Sequence, residues 1–199
     1  MTSLERPGAT PLWRDAVTRL TDLEPADAGQ AELRTAYLAA LADERAVFKD
    51  GPPAHLTASC IVFDASGERV LLTLHTKART WLQFGGHLEP GDETLYAAAG
   101  REVREESGIE GISIDPQIVE LHRHALGPRF GRCTEHLDVR FAGWAPAGAE
   151  PRRSEESLDV RWWPVADLPE GVVADLGVLI ARGRARAGHR GSPPRSTSA

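Results

Sequence analysis

Glu102, Glu105 and Glu106 stand at i, i+3 and i+4 in a segment, residues 94–108, that has the composition of a helix. Those spacings put all three carboxylates on one helix face. Like charges so placed destabilise a bare helix by a few tenths of a kcal/mol per pair, so a compensating cation is the natural complement. Carboxylate oxygens suit a hard divalent ion, magnesium first and manganese as a substitute. Magnesium keeps waters and takes phosphate oxygens as its remaining ligands, so the chemistry in view is hydrolysis of a phosphorylated molecule. The plain alternative is a solvated acidic face, as most charge runs are. Arg101 beside the glutamates, and a glycine turn a fixed distance upstream, favour the site.

That turn reads Gly85-Gly86-His87-Leu88-Glu89-Pro90-Gly91-Asp92-Glu93 and leads straight into the helix. Thr94 or Asp92 can cap the helix start, and Gly108 can close its end in the left-handed conformation. From Gly86 to Ile109 the chain resembles the Nudix box: Gly, five residues, Glu, seven residues, Arg-Glu, aliphatic, any, Glu-Glu, any, Gly, aliphatic. Seven residues, 94–100, separate Glu93 from Arg101 as the pattern asks, but five residues after Gly86 lead to Asp92. The turn therefore carries one extra residue. The spacing on the helix side assigns Glu93 to Arg101 and leaves Asp92 to cap the helix. Gly-Gly-His also resembles a bacterial subgroup of the family.

The resemblance implies a role for each matching residue. Glu102, Glu105 and Glu106 match the acids that hold metal, and the Gly86 carbonyl matches a backbone ligand. Arg101 matches the arginine that orients the loop through an acid. Many Nudix enzymes place a further acid shortly before a closing tryptophan strand; Glu156, six residues before Trp162, is the candidate here, with Glu155 beside it. A metal that polarises a phosphoryl oxygen and activates water still needs a base to align that water. Lys77 and Arg79, in the loop before the turn, are candidate phosphate contacts, and His87 is a candidate substrate contact or base.

The elements that must position these residues follow in order. Leu12, Ala16, Val17, Leu20 and Leu23 recur at helical spacing up to Pro25, and a second helix is expected over residues 28–48. Gly51-Pro52-Pro53 then breaks the chain. Residues 56–63 and 70–75 flank a turn-rich joint and form a hairpin, and residues 81–84 make a short strand ending at the glycine turn. Strands are expected over 118–124, 135–144 and 159–163, and a last helix over 172–186. In the strand at 135–144, Leu137, Val139 and Phe141 alternate with His136, Asp138 and Arg140. His122, His124 and His136 invite a zinc reading, but with no cysteine partner in sequence they read as polar strand faces or pocket lining.

The chain has 199 residues, 41% hydrophobic and 26% charged, the composition of an ordinary globular protein. A net charge of −6 argues against DNA or an anionic membrane as main partner, and no run approaches a membrane span, so a cytoplasmic protein is expected. Cys60 and Cys133 are too few for a disulfide framework, and Cys60 reads as a small core residue. The expected organisation is a helical extension, 1–53, a Nudix domain, 54–187, and a disordered tail, 188–199. The extension could cover the core, line the pocket or serve a homodimer.

The order of elements fits the fold that the box implies: α/β, a mixed β-sheet in an α/β/α sandwich behind an N-terminal helical extension. The expected activity is metal-dependent cleavage of a pyrophosphate bond in a nucleoside diphosphate linked to another moiety. Two rivals stand beside it. A non-catalytic nucleotide-binding regulatory module would be favoured by loss of box acids, yet all are present. An isopentenyl-diphosphate isomerase relative would use a cysteine near the glycine turn, and Gly85-Gly86-His87 supplies none.

Overall fold

A computed structural model of the chain describes residues 9–127 and 131–189. The first eight residues of the expected extension and nearly all of the expected tail lie outside them. Two helices come first, α1 (Pro11–Asp22) and α2 (Ala28–Ala40). Thr10 and Asp27 cap them by accepting the N–H groups of Trp13 and Gln30. The second helix is shorter than its apolar stripe predicts. The Asp43 carboxylate accepts the Arg45 N–H and starts a separate 3-10 turn, Glu44–Val47, because a short acidic side chain competes for backbone donors.

Strands follow: β1 (Ala54–Phe63), β2 (Arg69–His75), β3 (Trp81–Leu82) and β4 (Phe84–His87). The box helix α3 (Leu95–Ser107) precedes β5 (Ser113–Ile114), β6 (Glu120–Ala125), β7 (Glu135–Trp144) and β8 (Ser157–Pro164), and α4 (Leu176–Ala185) with a 3-10 turn, Arg186–His189, closes the order. All eight strands form one mixed sheet among the described residues. Its centre is the parallel pair β1 and β7, in register from Ala54 with Glu135 to Phe63 with Trp144. The expected hairpin is present, with Val62 opposite Leu71. β4 pairs antiparallel with the middle of β1, from Thr57 to Cys60, and β6 with the first half of β7. The glycine stretch is thus a strand, and the turn comes after it, where the Asp92 N–H donates to the Glu89 carbonyl at 2.9 Å.

Both faces of the sheet are covered, which makes the α/β/α sandwich. Leu56, Ala58, Cys60 and Val62 of β1 and Leu137, Val139 and Phe141 of β7 pack with α1 and α3. Ile61, Phe63, Ala142 and Trp144, on the opposite face, pack with Leu176, Leu179 and Ile180 of α4. That second apolar face spans only the late halves of β1 and β7. Their early halves carry His55, Thr57, Ser59, His136, Asp138 and Arg140 on the same face, and there the sheet is not sealed by α4. The last helix starts at Leu176 because residues 171–173 are held to β3 by the bonds of Trp81 N–H to Gly171 O and Val173 N–H to Trp81 O.

The N-terminal helices are part of this packing. Leu12, Trp13, Ala16, Val17 and Leu20 of α1 are buried in the same cluster as α3. The Trp13 indole N–H donates to the Leu41 carbonyl at 2.9 Å. Asp15 accepts the backbone N–H of Leu95, the first residue of α3, at 2.8 Å, so α1 helps hold the box helix by its unsatisfied N-terminus.

Candidate active site

α3 forms where the box predicts it. Thr94, not Asp92, is the N-cap: its hydroxyl accepts the Ala97 N–H at 3.0 Å. Gly108 closes the helix at φ 64°, a left-handed position that suits glycine. Leu95, Ala98, Ala99 and Val103 bury the inner face, which turns Glu102, Glu105 and Glu106 toward β4 and the open end of the sheet.

Arg101 ties helix to turn, but through a different acid from the one the spacing favours. Its Nε donates to Asp92 Oδ1 at 3.1 Å and its Nη2 to Asp92 Oδ2 at 3.0 Å. Glu93 is exposed and has no ion pair among the described residues. The extra residue is absorbed in the turn at 89–92, where Asp92 Oδ2 also accepts the Glu89 N–H at 2.8 Å. That bond swings the Asp92 carboxylate back over the turn to meet the guanidinium. Arg101 further donates to the His87 carbonyl at 3.0 Å, Glu102 at 2.8 Å and Glu105 at 3.2 Å. Burial works against its charge, but Asp92 and Glu102 outweigh that and keep it protonated.

The carboxylates crowd against the glycine strand. A Cβ on Gly86 would lie 2.8 Å from the Glu102 carboxyl group, so glycine here makes room for that acid. At Gly85, φ 156°, a Cβ would fall 2.3 Å from the Ser59 Cβ on the paired strand. Burial pushes the Glu106 carboxyl up to about 8, with the Glu102 carboxyl beside it adding to the effect. Glu102 is also raised, by burial first and against the pull of Arg101. A divalent cation would favour the charged forms of two adjacent acids whose burial opposes ionisation. Glu105 is swung outward, its side chain 58% exposed, on Arg101. The donor set therefore fits magnesium or manganese.

A cleft of about 1040 Å³ opens over these groups, lined by Gly86, His87, Arg101, Glu102, Glu105 and Glu106. Glu156 lines it as well; Glu155 does not. The cleft also has Phe48, Lys49 and Asp50 from the N-terminal segment and Arg132 and Cys133 from the approach to β7. No sequence spacing points to Lys49 or Arg132, because they reach the cleft only through folding. Arg79 does not line the cleft. It is exposed in the turn after β2, at φ 58°, with its N–H bonded to the His75 carbonyl.

A second cavity, of about 420 Å³, shares Gly85 and Gly86 with the cleft and lies over the polar halves of β1 and β7. Its floor is a fixed network. Arg140, its side chain 3% exposed, donates to Asp138 at 3.0 Å, to Glu120 at 2.9 Å, and to Asp175. Thr57 and Ser59 donate to Asp138 at 3.1 and 2.7 Å. Burial alone would raise the Asp138 carboxyl, but Arg140 and Ser59 hold it below the usual range.

The histidines connect through His136 in a way their spacing does not show. His122 bonds with Arg140 and stacks on His124, whose ring meets that of His136 at 5.2 Å, and all three line the second cavity. On its other side His136 faces His87 and His55, with ring centroids 5.0 and 5.4 Å away. Burial keeps His87 neutral, near 4, and His136 near 3, so His87 brings no positive charge to a phosphate.

A family model for the NUDIX domain matches residues 53–182. The phosphatase NudJ of Escherichia coli (strain K12) is 43% identical over 72 residues, 35% of this chain and 43% of that protein. The match thus spans under half the length of that relative. A NUDIX-family hydrolase from Clostridium perfringens has a similar structure, with a TM-score of 0.54 at 21% identity, covering 68% of this chain and 97% of that one. The Ap4A hydrolase of Caenorhabditis elegans (C. elegans) also has a TM-score of 0.54, at 18% identity over 67% of this chain and 98% of its own.

Proposed function

The chain belongs to the NUDIX domain family, and on that footing we propose that it is a divalent-metal-dependent hydrolase of phosphoric anhydride bonds. Its substrate is proposed to be a nucleoside diphosphate linked to another moiety, cut between the two phosphates. The observation that carries the reading is the meeting, in one cleft, of the box acids, the Gly86 strand and Glu156.

Glu102, Glu105, Glu106 and the Gly86 carbonyl would hold the ion, magnesium first and manganese as a substitute. When bound, the ion polarises a phosphoryl oxygen and neutralises charge developing on the phosphates. Arg101 holds the turn by Asp92 and steadies the orientation of Glu102 and Glu105. Glu156, which lines the cleft from the loop before β8, would accept the proton of the attacking water. Lys49 and Arg132 supply positive charge to the phosphates on the far wall. The adjoining cavity over Thr57, Ser59 and Asp138 offers fixed polar groups to the nucleoside or to the other moiety.

The purified protein should be incubated with magnesium and a panel of dinucleoside polyphosphates, nucleotide sugars and nucleoside triphosphates, with products identified by chromatography. Turnover of a diphosphate-linked substrate that stops on chelation is the expected result. Failure of the whole panel with both magnesium and manganese would refute the reading. Isopentenyl diphosphate belongs on the panel, because folding brings Cys133 to the cleft that the glycine strand itself leaves without a cysteine.

A further inference from the structure

His55, His87, His136 and Cys133 come together at the partition between the cleft and the adjoining cavity. One ligand atom from each lies within 4.8 Å of all the others. The register explains the meeting: His55 of β1 lies opposite His136 of β7, and His87 of β4 lies opposite Thr57, two residues along β1. The three rings thus share one sheet face across neighbouring strands, and Cys133 enters two residues before β7.

Two polar atoms of this cluster are buried without partners. His55 is fully buried, and its Nε2 has no hydrogen bond; the Nε2 of His136 is likewise buried and unpartnered. An unmet buried group costs about 1–3 kcal/mol. His55 Nδ1 meets the Pro52 carbonyl at 2.9 Å, which places the proton on Nδ1 and points the Nε2 lone pair into the cluster. A ring nitrogen held by a backbone carbonyl on its far side is the usual support of a metal-binding histidine. His87 Nε2 and Cys133 Sγ are 3.8 Å apart. Zinc–nitrogen and zinc–sulfur bonds of about 2.0 and 2.3 Å imply tetrahedral edges of about 3.3 to 3.6 Å, so contraction by roughly an ångström completes the site.

We propose that these four residues form a closed tetrahedral site for zinc, distinct from the carboxylate site on α3. Imidazole and thiolate select a borderline-soft ion, whereas the box offers only oxygen. Four protein ligands leave no open position, so the ion acts as a staple and not as a catalyst. It joins β1, β4 and β7 at the point where His87 follows Gly86, and so fixes the glycine strand against which Glu102 packs.

The test uses the full chain, stripped of metal and reconstituted with cobalt(II), which reports thiolate ligation by a near-ultraviolet charge-transfer band. Zinc content is measured in parallel by mass spectrometry. One zinc per chain and a cobalt–thiolate band are expected, both retained in the double variant Glu105→Gln/Glu106→Gln. Cys133→Ser should lose the band and weaken zinc binding by about 100-fold or more, above the 10–100-fold that even supporting partners contribute. Absence of the band from the wild-type chain would overturn the proposal, whatever the variant's folding. Equal zinc affinity in wild type and Cys133→Ser would overturn it too, by placing the ion elsewhere.

Discussion

Asp92→Asn should damage this protein far more than Glu93→Gln, although the box spacing points to Glu93. The Asp92 side chain is 7% exposed and that of Arg101 15%, so their two bonds are largely shielded from water. Asn keeps the shape and one acceptor, but its amide NH2 would face a guanidinium donor, so one charge-assisted bond is lost and the other weakened. Hydrogen bonds to charged groups contribute about 1.5–3 kcal/mol each, so the cost should be about 2–3 kcal/mol. It stays below the 3–5 kcal/mol of an orphaned buried charge, because Arg101 keeps Glu102, Glu105 and the His87 carbonyl. In a chain of this length, that corresponds to a fall in Tm of about 4–12 °C. Glu93 is exposed, and its substitution should stay within about 0.5 kcal/mol. Urea denaturation and thermal melts in a chelator measure both variants without interference from metal. Equal stabilities, or Glu93→Gln the worse of the two, would refute the pairing and the account of the extra turn residue.

Glu105→Gln should lower magnesium-dependent turnover by at least ~100-fold with Tm nearly unchanged, since its side chain is exposed and carries no core packing; full activity would remove it from the site. Glu156→Gln should lower turnover while leaving substrate binding intact, and Glu155→Gln should do little; near-wild-type turnover in both would leave activation of water to other groups. Gly86→Ala meets only the mobile end of Glu102, so the fold should survive while displacement of that acid costs about 100-fold in turnover. Gly85→Ala meets the Ser59 backbone and should impair folding itself, so comparable stability in the two variants would contradict the packing. The Glu106 carboxyl, raised from an ordinary 4.5 to about 8, binds its proton more tightly folded than unfolded. Its contribution is therefore full below the unfolded value and is lost as pH rises to the folded one, so the metal-free protein should lose stability between about pH 4.5 and about pH 8. Magnesium should restore it and Glu106→Gln should flatten the profile; an unchanged slope in that variant would assign the effect to another group.

The residues that make α3 an acid-bearing helix are legible in the sequence because their relations are local. Glu102, Glu105 and Glu106 share a face by helical spacing alone, and Gly108 ends the helix at the position that only a left-handed residue suits. The alternation of β7 likewise separates Leu137, Val139 and Phe141 from His136, Asp138 and Arg140 before any fold is known. Other features depend on tertiary structure. The choice of Asp92 over Glu93 depends on how the turn at 89–92 absorbs one residue. Spacing does not encode that, because side-chain direction follows backbone dihedrals and not position in a count. Arg79 leaves the site for the same reason, turned outward at a positive φ. Lys49, Arg132 and Glu156 reach one cleft from three distant segments. The His55, His87, Cys133 and His136 cluster exists only through the β1–β7 and β1–β4 registers. A one-residue slip in either would carry its rings to the opposite face of the sheet. Those registers are set by the apolar residues on both faces of β1 and β7 finding α1, α3 and α4, a global fit that no short window of sequence contains.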